Sequence, residues 1–142
     1  MTYCTQTDLE EQISQNELIE LSDDAGAGVV DDSVVTRAIA DADGEIDSYC
    51  ASRYTVPFLP VPVMVRKLSV DIAIYNLHTR RAVLKVPEDR QKRYDNAIRF
   101  LRDVSRGLIS LGADAPAQAN TSDTASIAGN DRIFTRDKMQ GL

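Results

Sequence analysis

The chain has 142 residues, 43% of them hydrophobic and 6% aromatic, with no Trp, which suits one domain with an aliphatic core plus a tail. Its net charge of −6 is unevenly placed: −12 over Met1–Ser52, +7 over Arg53–Ser110 and −1 over Leu111–Leu142. No apolar stretch reaches the ~18 residues that cross a bilayer, and the first residues, Met1-Thr2-Tyr3-Cys4, lack the basic and apolar regions of a signal peptide, so a secreted or membrane-spanning protein is not expected.

Thr7 with Glu10 forms a capping-box pattern, with Asp8 in the first turn, and Ser14 with Glu17 repeats it. These predict two short helices whose apolar contacts are Leu9, Ile13, Leu18 and Leu21. Ser22 to Asp32 is rich in Gly and Asp and reads as a loop. A long helix is predicted from Asp31–Ser33, with Val34, Val35, Ala38, Ile39, Ala42, Ile46, Tyr49, Cys50 and Tyr54 recurring at three- and four-residue steps. Asp41, Asp43, Glu45 and Asp47 fall on its other faces. Gly44 costs about 1 kcal/mol relative to Ala in a helix and is read as a close helix crossing.

Pro57, Pro60 and Pro62 make Thr55–Pro62 an extended connector. Pro62 or Val63 starts the next helix, whose stripe is Met64, Val65, Leu68, Ile72, Tyr75 and Thr79. Ile74 and Leu77 widen it to more than one buried side. Pro87 opens the last helix, with Glu88 and Asp89 in its first turn and Tyr94, Ala97, Ile98, Leu101, Val104 and Leu108 inward. Six arginines and lysines cover its remainder, and Gly107 is placed as a C-cap. The elements together predict an all-α fold, a small bundle with two long core helices, short N-terminal helices and a flexible tail.

From Gly112 to about residue 130 the composition is Ala, Asp, Ser, Thr, Gln, Asn and Gly, that of a flexible linker. The segment 131–142 carries apolar and basic anchors again, namely Arg132, Ile133, Phe134, Arg136 and Met139. It reads either as a tethered docking peptide or as a tail without a partner. The expected organisation is therefore a helical domain at 1–111, a linker at 112–130 and a docking segment at 131–142.

The candidate chemistry is sparse. Asp23–Val34 can be laid on a calcium-binding loop, with Gly28 at the invariant glycine and Asp23 and Asp31 at two ligand positions. Ala25, Ala27 and Val34 occupy three others, so a turn of that shape without the ion is expected. Cys4 and Cys50 lack metal or redox spacing, and Cys50 reads as a core residue. His78, the sole histidine, is read as a cationic or hydrogen-bonded imidazole near a helix end. Arg80, Arg81 and the arginines of the last helix are read as a solvated or subunit-facing basic surface, with nucleic-acid contact as the alternative. Phe100 lies off the main stripe and is assigned to a partner chain or a second core. No nucleophile, base and orienting group come together in sequence, so no enzyme and no cofactor are expected. The charge split allows two arrangements: acidic and basic halves neutralising each other within one copy, or pairing between successive copies of a ring.

The order and spacing of several motifs resemble those of the small head–tail connector (adaptor, or head-completion) proteins of Mu-like phages and prophages. They are Tyr3-x-Thr5-x-x-Asp8-Leu9, Glu17-Leu18-Ile19-Glu20-Leu21-Ser22-Asp23, Ala38 to Tyr49, Arg53-Tyr54-x-x-Pro57, Val65-Arg66-Lys67-Leu68, Arg93-Tyr94-x-x-Ala97, Phe100-Leu101-Arg102-Asp103 and Arg132-Ile133-Phe134-Thr135-Arg136-Asp137. The resemblance implies an all-helical structural protein without enzymatic activity or cofactor. It implies a ring of about twelve copies, often monomeric before assembly, through which packaged DNA passes. Its implied partners are the portal protein, neighbouring copies and a stopper or tail-completion protein. Its implied location is the host bacterial cytoplasm, then the virion neck. The alternative from another class is a small DNA-binding or regulatory helical module using the basic surface of the last two helices.

Overall fold

A computed structural model of the chain describes residues 1–112. Five helices follow one another: α1 (Gln6–Glu10), α2 (Gln15–Ser22), α3 (Asp32–Cys50), α4 (Val63–Thr79) and α5 (Glu88–Ser105). The described residues contain no strand, and the all-α expectation holds.

α4 is the centre of the bundle because it is apolar on several sides. Val65, Leu68, Val70, Ile72, Ala73, Ile74 and Leu77 are all buried. α3 lies against it most extensively, α5 packs on both, and α1 and α2 cover one flank. α5 has a narrower inward stripe of Ala97, Ile98, Leu101 and Val104. Each fully buried Leu or Ile in this core contributes about 1.5–3 kcal/mol relative to exposure. Cys50 is core, as expected, and so is Cys4; burial raises both thiols to about 11.

Local signals explain the helix ends, with some corrections. α1 is capped by Thr5, which accepts from the Asp8 amide while the Asp8 carboxylate accepts from the Thr5 amide. The box is therefore two residues earlier than the Thr7–Glu10 pattern. Ser14 caps α2 as expected. Pro62 and Pro87 occupy the cap positions of α4 and α5, leaving Val63 and Glu88 as first helical residues. α5 ends in a Schellman turn: Gly107, at φ +80°, donates to Val104 O, and Leu108 donates to Asp103 O. That turn takes Leu108 off the helical stripe, and it is 73% exposed rather than inward. Gly44 has open space where a Cβ would stand, so it is not a close crossing.

The connector between α3 and α4 is extended, with cis Val56–Pro57 and Leu59–Pro60 bonds. Phe58, between these prolines, is buried. Its ring lies 5.8 Å from that of Tyr3 and 5.6 Å from that of Tyr54. The Tyr54 hydroxyl accepts from the Leu111 amide at 3.0 Å, fastening the chain beyond α5 to the start of the connector that follows α3.

Candidate functional site

Two polar assemblies organise the described residues. The first is an anchor for the N-terminal arm. The Asp43 carboxylate accepts from the Tyr3 amide at 2.9 Å and from the Ser69 hydroxyl at 2.6 Å. The Tyr3 hydroxyl donates to Asp47 and accepts from the Phe58 amide at 3.0 Å. Asp43 is only 8% exposed, not on an outer face of α3 as periodicity suggests. Burial pushes its carboxyl above the ordinary value, against the pull of Ser69 and Tyr3. Nothing in local spacing signals this cluster, because Tyr3 and Asp43 are forty residues apart.

The second assembly is the glycine loop between α2 and α3. Asp23 accepts from the Gly28 amide at 2.7 Å and the Ala27 amide at 3.0 Å. Gly26 and Gly28 supply the left-handed backbone at φ +71° and +73°. Asp31 caps α3 through Ser33 and Val34, and Ser22 ties the loop back by accepting from the Asp31 amide. Both candidate ligand carboxylates are thus bonded to backbone amides of their own turn. Those bonds, from Gly28 and Ala27, hold Asp23 below its ordinary range, and Ser33 does the same to Asp31. Among the described residues no cluster of His, Cys, Asp and Glu is placed to hold a metal ion, and no helix is long and apolar enough to cross a membrane.

Arg80 and Arg81 stand at this loop. Arg80 Nε donates to Leu21 O at 2.9 Å, and both arginines pair with Asp24. They tie the loop to the end of α4. His78 is 5% exposed, with Glu17 Oε1 3.6 Å from its Nε2, which makes no hydrogen bond. Burial lowers its pKa, so of the two expected forms, cationic or hydrogen-bonded, the cationic one is disfavoured.

Phe100 is half-buried against the core. It lines a groove between α4 and α5 with Met64, Lys67, Leu68, Asp71 and Arg93. The Asp71 side chain is 9% exposed with Arg93 3.7 Å away, and burial raises its pKa against the pull of Lys67 and Arg93. Phe100 thus belongs partly to the core and partly to a surface groove. The remaining candidates, Arg132, Ile133, Phe134, Arg136 and Met139, and the segments 112–130 and 131–142 beyond Gly112, lie outside the described residues.

The charge split is only sparingly neutralised within the chain. Ion pairs joining the acidic and basic halves are, among the described residues, those of Asp24 with Arg80 and Arg81, plus the His78–Glu17 approach. Exposed Glu10, Glu20, Asp32 and Asp41 on one side, and Arg66, Lys67, Arg99 and Arg102 on the other, have no ion-pair partner among those residues.

Comparison with known proteins places this arrangement. The chain is 27% identical over 145 aligned positions to Gene product J of Escherichia phage Mu, covering 100% of this chain and 99% of that one. It is 32% identical over 114 residues to the Mu-like prophage FluMu protein gp36 of Haemophilus influenzae, covering 80% of this chain and 78% of that protein. The family described as "Bacteriophage Mu, Gp36" matches residues 3–128, and with nearly the whole length matched, the chain belongs to that phage protein family.

Proposed function

We propose that the chain is a structural head–tail connector, an adaptor that assembles as a ring between portal and tail during virion assembly. The observation that carries this reading is the near end-to-end match to proteins of phage Mu and a Mu-like prophage. Its polar side chains support a role in shape rather than turnover. Asp43, Asp47, Ser69 and Tyr3 bond one another or backbone amides, and Asp23, Asp31 and Arg80 hold a loop. The unpaired acidic and basic surfaces suit heterologous contacts between copies, the kind that close rings.

In this role the partners are the portal, neighbouring copies and a stopper or tail-completion protein, with packaged DNA passing through the ring. The protein is made in the host bacterial cytoplasm and ends in the virion neck, with no catalytic step. Imaging of phage particles tests this directly: density for the chain below the portal is expected, and particles whose necks lack it overturn the reading. Removing 131–142 is expected to weaken portal binding, and unchanged binding rejects a docking role for that segment. Exposed Arg99 and Arg102 on α5, with Arg106 at its C-cap, favour one second reading, a DNA-binding module. It requires binding by the isolated protein that falls steeply with salt.

A further inference from the structure

The glycine loop presents an apolar side chain on a stiff acidic frame. Val29 is 61% exposed, although its neighbour Val30 packs on the core. The turn around it is fixed by Asp23, Asp31 and the Arg80–Asp24 contact. Asp32, exposed and without an ion-pair partner among the described residues, follows three residues later. A loop held this firmly loses little conformational freedom on docking.

A complementary surface lies toward the other end of α4. The α4–α5 groove offers Met64 and Phe100 as apolar walls, with Lys67 and Arg93 on its rim. Lys67 is exposed and unpaired among the described residues. The groove and the loop clamp are separated along α4 by the thirteen positions from Lys67 to Arg80, roughly 20 Å at the helical rise. One copy's loop therefore does not reach its own groove. Asp32 beside the apolar knob and Lys67 beside the socket, whose lining also holds Asp71 paired with Arg93, are opposite in charge and lie toward opposite ends of the bundle, the requirement for a head-to-tail contact.

We propose that the occupant of the α4–α5 groove is the glycine loop of a second copy of this chain. Val29 inserts between Met64 and Phe100, and Asp32 meets Lys67. The inference rests on the adaptor reading for the presence of neighbouring copies, and it names the surface they share.

The test uses full-length Val29→Cys and Met64→Cys variants, mixed at high protein concentration and, separately, co-expressed in an induced lysogen, then mildly oxidised. The native cysteines are both buried, so each variant alone supplies the blank. A Val29→Cys–Met64→Cys interchain disulfide in either sample, at least tenfold above a Val83→Cys–Met64→Cys control, is expected. Lys67→Glu in the Met64→Cys chain should lower the yield severalfold, and Asp32→Lys in the opposing chain should restore it. No such link in either sample, a symmetric Val29→Cys pair instead, or no rescue by the charge swap overturns the proposal. Necks that contain the chain without the link sink this contact alone. A link in the purified protein with necks that lack the chain sinks the adaptor reading alone.

Discussion

The N-terminal anchor and the glycine loop use the same device, an Asp carboxylate accepting backbone amides, in opposite settings. Asp43 does so inside the bundle and bridges residues distant in sequence. Asp23 does so at the surface and bridges residues of its own turn. In the interior, desolvation outweighs the hydrogen bonds and the carboxyl becomes a weaker acid; at the surface the bonds dominate and it becomes a stronger one. The anchor therefore ties the N-terminal arm into the bundle, and the loop holds the shape of its own turn at the surface.

The largest effect is expected from Asp43→Ala. It leaves the Tyr3 amide and Ser69 hydroxyl unpaired in the interior and should cost about 3 kcal/mol in urea unfolding. A loss under about 1 kcal/mol breaks the contrast.

Asp43→Asn and Asp23→Asn sharpen the contrast through pH. The raised folded pKa of Asp43 gives a stability contribution fully present below the ordinary carboxylate value of 3.8 and lost as pH rises through the folded value. The lowered Asp23 gives one present above 3.8 and lost as pH falls through its folded value. Stability measured across the acid range should lose a falling component in the first variant and a rising component in the second. Changes of the same sign would show that setting is not what separates them.

Tyr3→Phe removes the hydroxyl between Asp47 and the Phe58 amide and should cost about 1.5 kcal/mol. Gly28→Ala forces a Cβ into the left-handed region, although the space around it is open, and should cost about 1 kcal/mol by chain unfolding. Asp24→Ala breaks surface pairs with Arg80 and Arg81 and should change stability by at most about 0.5 kcal/mol. Its effect should instead be read in exchange of the loop amides, which speeds up if Asp24 helps to fix the turn.

The helices were legible because their apolar spacing is strong. Val35, Ala38, Ile39, Ala42 and Ile46 are buried as the 3.6-residue period requires. The start of α1 lies two residues before the Thr7–Glu10 pattern because Thr5-x-x-Asp8 and Thr7-x-x-Glu10 overlap, and local pattern does not rank them. Period alone puts Asp43 and Asp47 outward, because it does not foresee an arm arriving from residue 3. Phe58 is hidden among prolines, and its burial comes from one ring nearby, Tyr54, and one from a distant segment, Tyr3. Sequence does not show that the glycine loop returns to the end of α4, where Asp24 pairs with Arg80 and Arg81. The groove at Phe100 was half visible: its departure from the stripe is in the sequence, but its walls come from α4.

Tyr75 and Tyr94 lie face to face, centroids 3.8 Å apart and planes within 9°, and the Tyr94 hydroxyl donates to Glu45. This joins α4, α5 and α3 at one point, and burial, followed by the Glu45 carboxylate, raises the phenol to about 12. Because the chain has five Tyr and no Trp, phenol absorption and emission are not masked by indole. The paired rings therefore give the molecule its own optical gauge: coupled near-ultraviolet dichroism should fade as these three helices separate, reporting bundle opening without an added dye.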